Sequence, residues 1–225
     1  MNSDPAHPIH GAIFGVGDDV VRCQFLKHFE HELAEFERLM VAVYGRWQEH
    51  EARFARDRDS ATVVGTLFVV IARLLLSMNL LVLGHIALAG AAKRQVFEAL
   101  AQAFLFSKHG WPYLTQAWDG RFSTNKAIGI LLKRSDELDL NRDALLVVSQ
   151  ARDFYNKLSH ATVIAMGDVI GLNGSSSRLG ASFDVAKLDF YRHEVTARLS
   201  LAGILENAIE GVEGNLREWP QLRAS

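Results

Sequence analysis

The segment TVVGTLFVVIARLLLSMNLLVL, residues 62–83, decides how this chain folds. Its only charge is Arg73, and Asn79 is its only amide. About twenty apolar residues suffice to cross a hydrocarbon core, so the segment is long enough to span a membrane. Its composition weighs against that use. Arg73 stands near the middle, where a charge costs about 2.5–3.5 kcal/mol on insertion scales. Tyrosine and tryptophan, which mark membrane–water boundaries, are absent between Trp47 and Trp111. A helix that is apolar all round is also what the centre of a helical bundle requires. Residues 62–83 are therefore expected as a buried core helix, with no membrane partner favoured. A small membrane-anchored protein is the less favoured alternative.

The rest of the chain supplies the bundle that such a helix needs. Only four prolines occur, Pro5, Pro8, Pro112 and Pro220, leaving two stretches of about a hundred residues without one. Helices need such stretches, whereas strand-rich folds show turn clusters at short intervals. A length of 225 residues suits one domain with a full core. A hydrophobic content of 49% with 22% charged residues excludes disorder of the whole. The 24 basic and 26 acidic residues give a net charge of −2, which argues against a generically basic nucleic-acid binder but leaves room for a local patch. Cys23 is the single cysteine, so neither a disulfide framework nor a multi-cysteine zinc site is available. A reducing, cytoplasmic setting is expected.

Residues 1–17 carry two prolines and read as an extended N-terminal arm. Asp18 and Asp19 then favour a helix start, and Val21, Phe25, Phe29, Leu33, Phe36, Met40, Val43 and Trp47 follow at steps of three and four. After the apolar segment, Gly84 ends or kinks the helix. A further helix carries Arg94 to Phe104, and residues 111–124 read as a loop. Ser123 or Thr124 caps one later helix and Asn141 the next. The last helix has the clearest stripe, from Leu188 through Tyr191, Val195 and Ala202 to Leu216. The expected fold is all-α, a single antiparallel bundle of about five to six helices. It has a long N-terminal and a long C-terminal helix, with a flexible loop or small hairpin near 171–182. The bundle domain covers 18–219 and a tail covers 220–225.

No cofactor motif or metal-ligand set stands out. His28 and His31 lie three apart on one helix beside Glu32 and Glu35, but read as a solvated face. Cys23 reads as a small core hydrophobe. The segment from Ser149 to His160 is richer. At about 100° per residue, Ser149, Arg152, Asn156 and His160 share one face of a helix, with Asp153 beside them. Arginine holds phosphate and stabilises developing charge, and histidine shuttles protons near neutrality. With RNA as substrate, the 2′-hydroxyl would serve as nucleophile. The plainer alternative is the polar face of an amphipathic helix. Arg94 and Glu98, spaced i, i+4, form a second candidate pair that would support the first if the bundle brings Glu98 to Arg152 or His160.

Two stretches resemble the HEPN superfamily of helical bundles, in its poorly characterised bacterial branches. LLSMNLLVLGHIALAGAAKRQVFEALAQAFLF (75–106), bearing Arg94 and Glu98, resembles the family's central helix pair. ARDFYNKLSHAT (151–162) resembles its Tyr-x-x-Leu-Ser segment with a nearby histidine. The resemblance implies homodimers and, in many members, metal-independent RNA cleavage in toxin or phage-defence settings. By that likeness Arg152, Asp153 and His160 correspond to the catalytic motif. The family places four to six residues between arginine and histidine, and seven separate Arg152 from His160 here. Inactive members also exist, so a catalytically inactive interaction or sensor module is the alternative.

Overall fold

In the computed structural model, residues 18–158 and 182–222 are described. The arm over 1–17, residues 171–181 of the expected loop, Ser159, His160 and the tail beyond residue 222 lie outside the described residues. The fold is all-α, with seven α-helices and no strand among the described residues.

Helix α1 (Asp18–Phe54) opens with Asp18 and Asp19 in its first turn and is interrupted locally at Phe29 (φ −136°, ψ 24°). It buries Val21, Phe25, Phe29, Phe36, Met40, Val43 and Trp47, the stripe expected from the sequence apart from the half-buried Leu33. Helix α2 (Arg58–Val82) starts earlier than residue 62 because Asp57 and Ser60 form a reciprocal capping box, Asp57 Oδ1 accepting from Ser60 N at 2.8 Å. Val63, Leu67, Val70, Leu74 and Leu81 are buried, while Arg73 is exposed. By length and composition, α2 is also the one described helix that is apolar enough to cross a membrane.

The turn to α3 (Ile86–Ser107) depends on Gly84, whose φ is +80°. A Cβ there would lie 2.7 Å from Ser182 O and 2.8 Å from Val21 Cγ1. Three separate parts of the chain meet at this point with no room for a side chain. Helix α3 is the most enclosed, burying residues on nearly every side.

The loop expected over 111–124 contains a six-residue helix, α4 (Tyr113–Trp118), too short for a periodicity to be read. Helix α5 (Ala127–Lys133) follows a 3₁₀ turn rather than a side-chain cap from Ser123. Asn141 does cap α6 (Arg142–Leu158), its Oδ1 accepting from Ala144 N at 3.0 Å. Helix α7 (Leu188–Arg217) runs for 30 residues.

Trp47 Nε1 donates to Val64 O and Ser77 Oγ to Ala89 O, so α1, α2 and α3 run up, down and up. Helix α7 lies along α1 in the same sense, with Phe25 against Tyr191 near their starts and Arg46 and Arg53 on Glu213 near their ends. Asn215 likewise meets Ser107 where α3 finishes, and Trp219 Nε1 closes that end by donating to Ser107 O at 2.6 Å. The carboxyl-terminal ends of α1, α3 and α7 therefore gather at one pole. Arg53, Lys108 and Arg217 stand there, where cations complement helix dipoles.

Candidate functional site

Helices α3 and α6 present neighbouring residues to each other in two layers. Lys93 and Tyr155 form the inner rung, with Lys93 Nζ donating to Tyr155 Oη at 2.6 Å. Arg94 and Asn156, the next residue on each helix, form the outer rung through Arg94 Nη1 to Asn156 Oδ1 at 2.7 Å. Consecutive residues lie about 100° apart around a helix, so one member of each pair turns into the core and the other toward solvent. Lys93 is 2% exposed.

Helix α7 extends the inner rung. Tyr155 Oη donates to Glu194 Oε1 at 2.8 Å, and Arg198 Nη1 donates to Glu194 Oε2 at 2.7 Å. Arg198 Nε reaches Ser77 Oγ on α2 at 2.9 Å, and Ser77 donates to Ala89 O on α3. Four helices are thus tied by one chain of hydrogen bonds between buried side chains. Among the described residues, Arg198 Nη2 is buried without a hydrogen-bond partner.

Charge does not balance in this chain if every group is ionised, since two cations share one carboxylate. Burial, reinforced by Arg198 and opposed by Glu194, pushes the Lys93 ammonium down to about 7. Burial raises the Tyr155 phenol well above its usual range, with the Glu194 carboxylate adding to that. For Glu194, burial acts upward, but the Arg198 and Lys93 charges and its hydrogen bonds outweigh it and hold the carboxyl below its usual value. Near neutrality the cluster approaches electroneutrality by weakening the hold of Lys93 on its proton.

The outer rung gathers most of the residues singled out from sequence. Arg94 Nε stands 3.6 Å from Glu98 Oε1, and both side chains are mostly buried. Glu98 thus pairs within α3; among the described residues no ion pair joins it to Arg152. Arg152 lies one turn before Asn156 on α6. Its Nη1 donates to Asn125 O at 3.2 Å, and its Nη2 is 2.9 Å from Asp153 Oδ1. Asp153 is well exposed, while Ser149, a turn earlier, is half-buried. His160 lies outside the described residues. Phe154 is more than one-third exposed, because α6 packs on the outside of the bundle.

Pattern reading missed Lys93, Glu194 and Arg198, and Tyr155 entered only through the Tyr-x-x-Leu-Ser resemblance, with no role of its own. A signal was present on α7, where Glu194 and Arg198 fall within the stripe of Tyr191, Val195 and Ala202, a placement that charged residues adopt only when paired. Two further expectations resolve outside this site. Cys23 is exposed rather than in the core, because it lies on the opposite side of α1 from Val21 and Phe25. His28 is exposed, with its ring stacked on Phe183 at 5.4 Å.

No known family matches the chain, nor does any curated protein or solved structure.

Proposed function

We propose that the outer α3–α6 face contacts RNA phosphates in an HEPN-like bundle, acting as a metal-independent ribonuclease or an RNA-binding relative in a cytoplasmic toxin or phage-defence setting. The observation that carries this is the Arg94–Asn156 bond, which sets a guanidinium of α3 against the helix that carries Arg152. Two guanidiniums beside an amide suit a phosphodiester. In the cleaving form, Arg152 holds the scissile phosphate, with Asp153 beside it, and His160 takes the proton of the 2′-hydroxyl. The 2′-oxygen then attacks the adjacent phosphorus as its bond to the 5′-oxygen breaks, and the leaving 5′-oxygen takes the proton that His160 removed. Products would carry a 2′,3′-cyclic phosphate and a free 5′-hydroxyl. Asn156, Ser149, Arg94 and Glu98 would support the face without touching the reacting atoms.

One observation favours a non-catalytic interaction or sensor module instead. The Arg152 guanidinium is already engaged by Asp153 and by the carbonyl of Asn125. The deciding experiment incubates end-labelled single-stranded RNA with the full chain in EDTA, alongside Arg152→Ala and His160→Ala. Cleavage lost in both variants, each still folded by circular dichroism, supports the nuclease. Intact RNA bound by wild type and released by Arg152→Ala supports the binding relative. RNA that is neither cut nor bound leaves the interaction module.

A further inference from the structure

A cleft of about 320 Å³ opens at the pole where α1, α3 and α7 finish. It lies between the first turn of α2, the end of α3 and the chain after α7, and its size suits a small ligand. Phe106, Trp111 and Trp219 give it aromatic walls, and Asp59, Lys108 and His109 give it polar ones. Both indoles are fixed by groups that do not line the cleft. Trp219 Nε1 donates to Ser107 O at 2.6 Å, and the Arg134 guanidinium lies over the Trp111 ring at 4.7 Å. Before Trp111 the chain turns tightly, Trp111 N donating to Lys108 O at 3.3 Å across Gly110, whose φ is +78°. The walls are therefore in place before a ligand enters.

Charge selects the class of occupant. Lys108 is held by Glu218 at 3.0 Å and Arg134 by Glu137 at 2.9 Å, so both of these cations are matched. Arg58, next to Asp59 in sequence, lies instead over the Trp118 ring at 3.7 Å. Among the described residues the exposed Asp59 carboxylate has no ion pair or hydrogen bond. The amino-terminal turn of α2 offsets part of its charge, and the carbonyl end of α3 at the same cleft restores it.

From this we infer that the cleft binds a small, free alkylammonium ion, with its charged head on Asp59 and its methyl or methylene groups against Trp111 and Trp219. Aromatic rings attract such a head, more strongly as it loses water. A phosphate or carboxylate would meet the unmatched Asp59 and find Lys108 already taken by Glu218. An uncharged ligand of the same shape would cover Asp59 without giving it a partner. The site is separate from the outer rung, since Arg94 lies about 20 Å back along α3 from Ser107, and the inference does not rest on the RNA reading.

Choline and its uncharged isostere 3,3-dimethyl-1-butanol are the probes, titrated into the full chain while NMR follows the indole Nε1–H signals. Choline should shift the signals of Trp111 and Trp219, saturably, and leave that of Trp47 in place. The isostere should bind about tenfold more weakly or worse. Asp59→Asn, at an exposed position outside the Asp57–Ser60 capping box, should keep the fold and weaken choline by about fivefold or more. Trp111→Leu identifies its signal by loss and should weaken choline by a similar factor. Choline and isostere binding equally would overturn the inference, as would either variant, folded by circular dichroism, binding choline as tightly as wild type. A choline response that fails to saturate, or that centres on Trp47, overturns it too. So does binding to phosphatidylcholine vesicles that free choline does not displace, which would assign the ammonium to a lipid headgroup.

Discussion

Replacing Lys93 by methionine tests the inner rung directly. In the folded chain the ammonium releases its proton near 7, whereas an ordinary lysine does so near 10.5. Between those values the unfolded chain binds a proton that the folded chain has released. Stability therefore rises with pH across that window, by up to about 1.4 kcal/mol per pH unit. Integrated from pH 7 to pH 9, with half the folded molecules protonated at the start, the gain is roughly 2 kcal/mol. Above about pH 10 the trend reverses, because the unfolded tyrosine ionises while the raised phenol of Tyr155 keeps its proton. Lys93→Met keeps the length and removes the charge, and leaves Glu194 with Arg198 and Tyr155. The variant should be at least as stable as wild type at pH 7, with the rise from pH 7 to pH 9 abolished. Urea denaturation at half-unit pH steps, with the slope on denaturant checked for constancy, measures both curves. A flat wild-type curve, or a rise that survives in Lys93→Met, would refute the reasoning.

Other positions give separate tests. His50 is 2% exposed with neither ring nitrogen partnered among the described residues, and burial pushes its imidazole down to about 4. The unfolded chain takes up that proton near 6.5, so stability present at neutral pH should fall by roughly 3 kcal/mol as pH drops to 4. His50→Phe should remove that component of the acid profile, read by the same denaturation series. Tyr155→Phe removes the partner of Lys93 Nζ and of Glu194 Oε1, leaving Glu194 only its bond from Arg198, and should cost about 2–4 kcal/mol; an unchanged urea midpoint would contradict the relay. Gly84→Ala forces a Cβ against Ser182 O at a positive φ and should lower stability by about 2 kcal/mol or more, visible as a drop in Tm.

Local pattern carried most of the fold and little of the inner site. The stripes of α1 and α7 were legible because burial on one side of a helix recurs every three to four residues. Residues 62–83 were legible as an apolar helix, but the expectation that the bundle buries it held for one side only, since Phe68, Val69, Arg73 and Leu75 are exposed. Helix α4 is too short to show a period. The Lys93–Tyr155 contact joins positions 62 apart in sequence, and no local spacing encodes such a meeting. Arg94 and Asn156 were both singled out, yet only the packing of α3 on α6 makes them partners.

The shared direction of α1, α3 and α7 has an electrostatic consequence. Their amino-terminal turns carry Asp18, Asp19 and Asp189, and their far ends carry Arg53, Lys108 and Arg217. Each of those cations stands beside a carboxylate of the same pole, Glu213 or Glu218, so the helix ends are neutralised where they gather. Retention on an ion-exchange matrix should therefore follow the near-zero net charge.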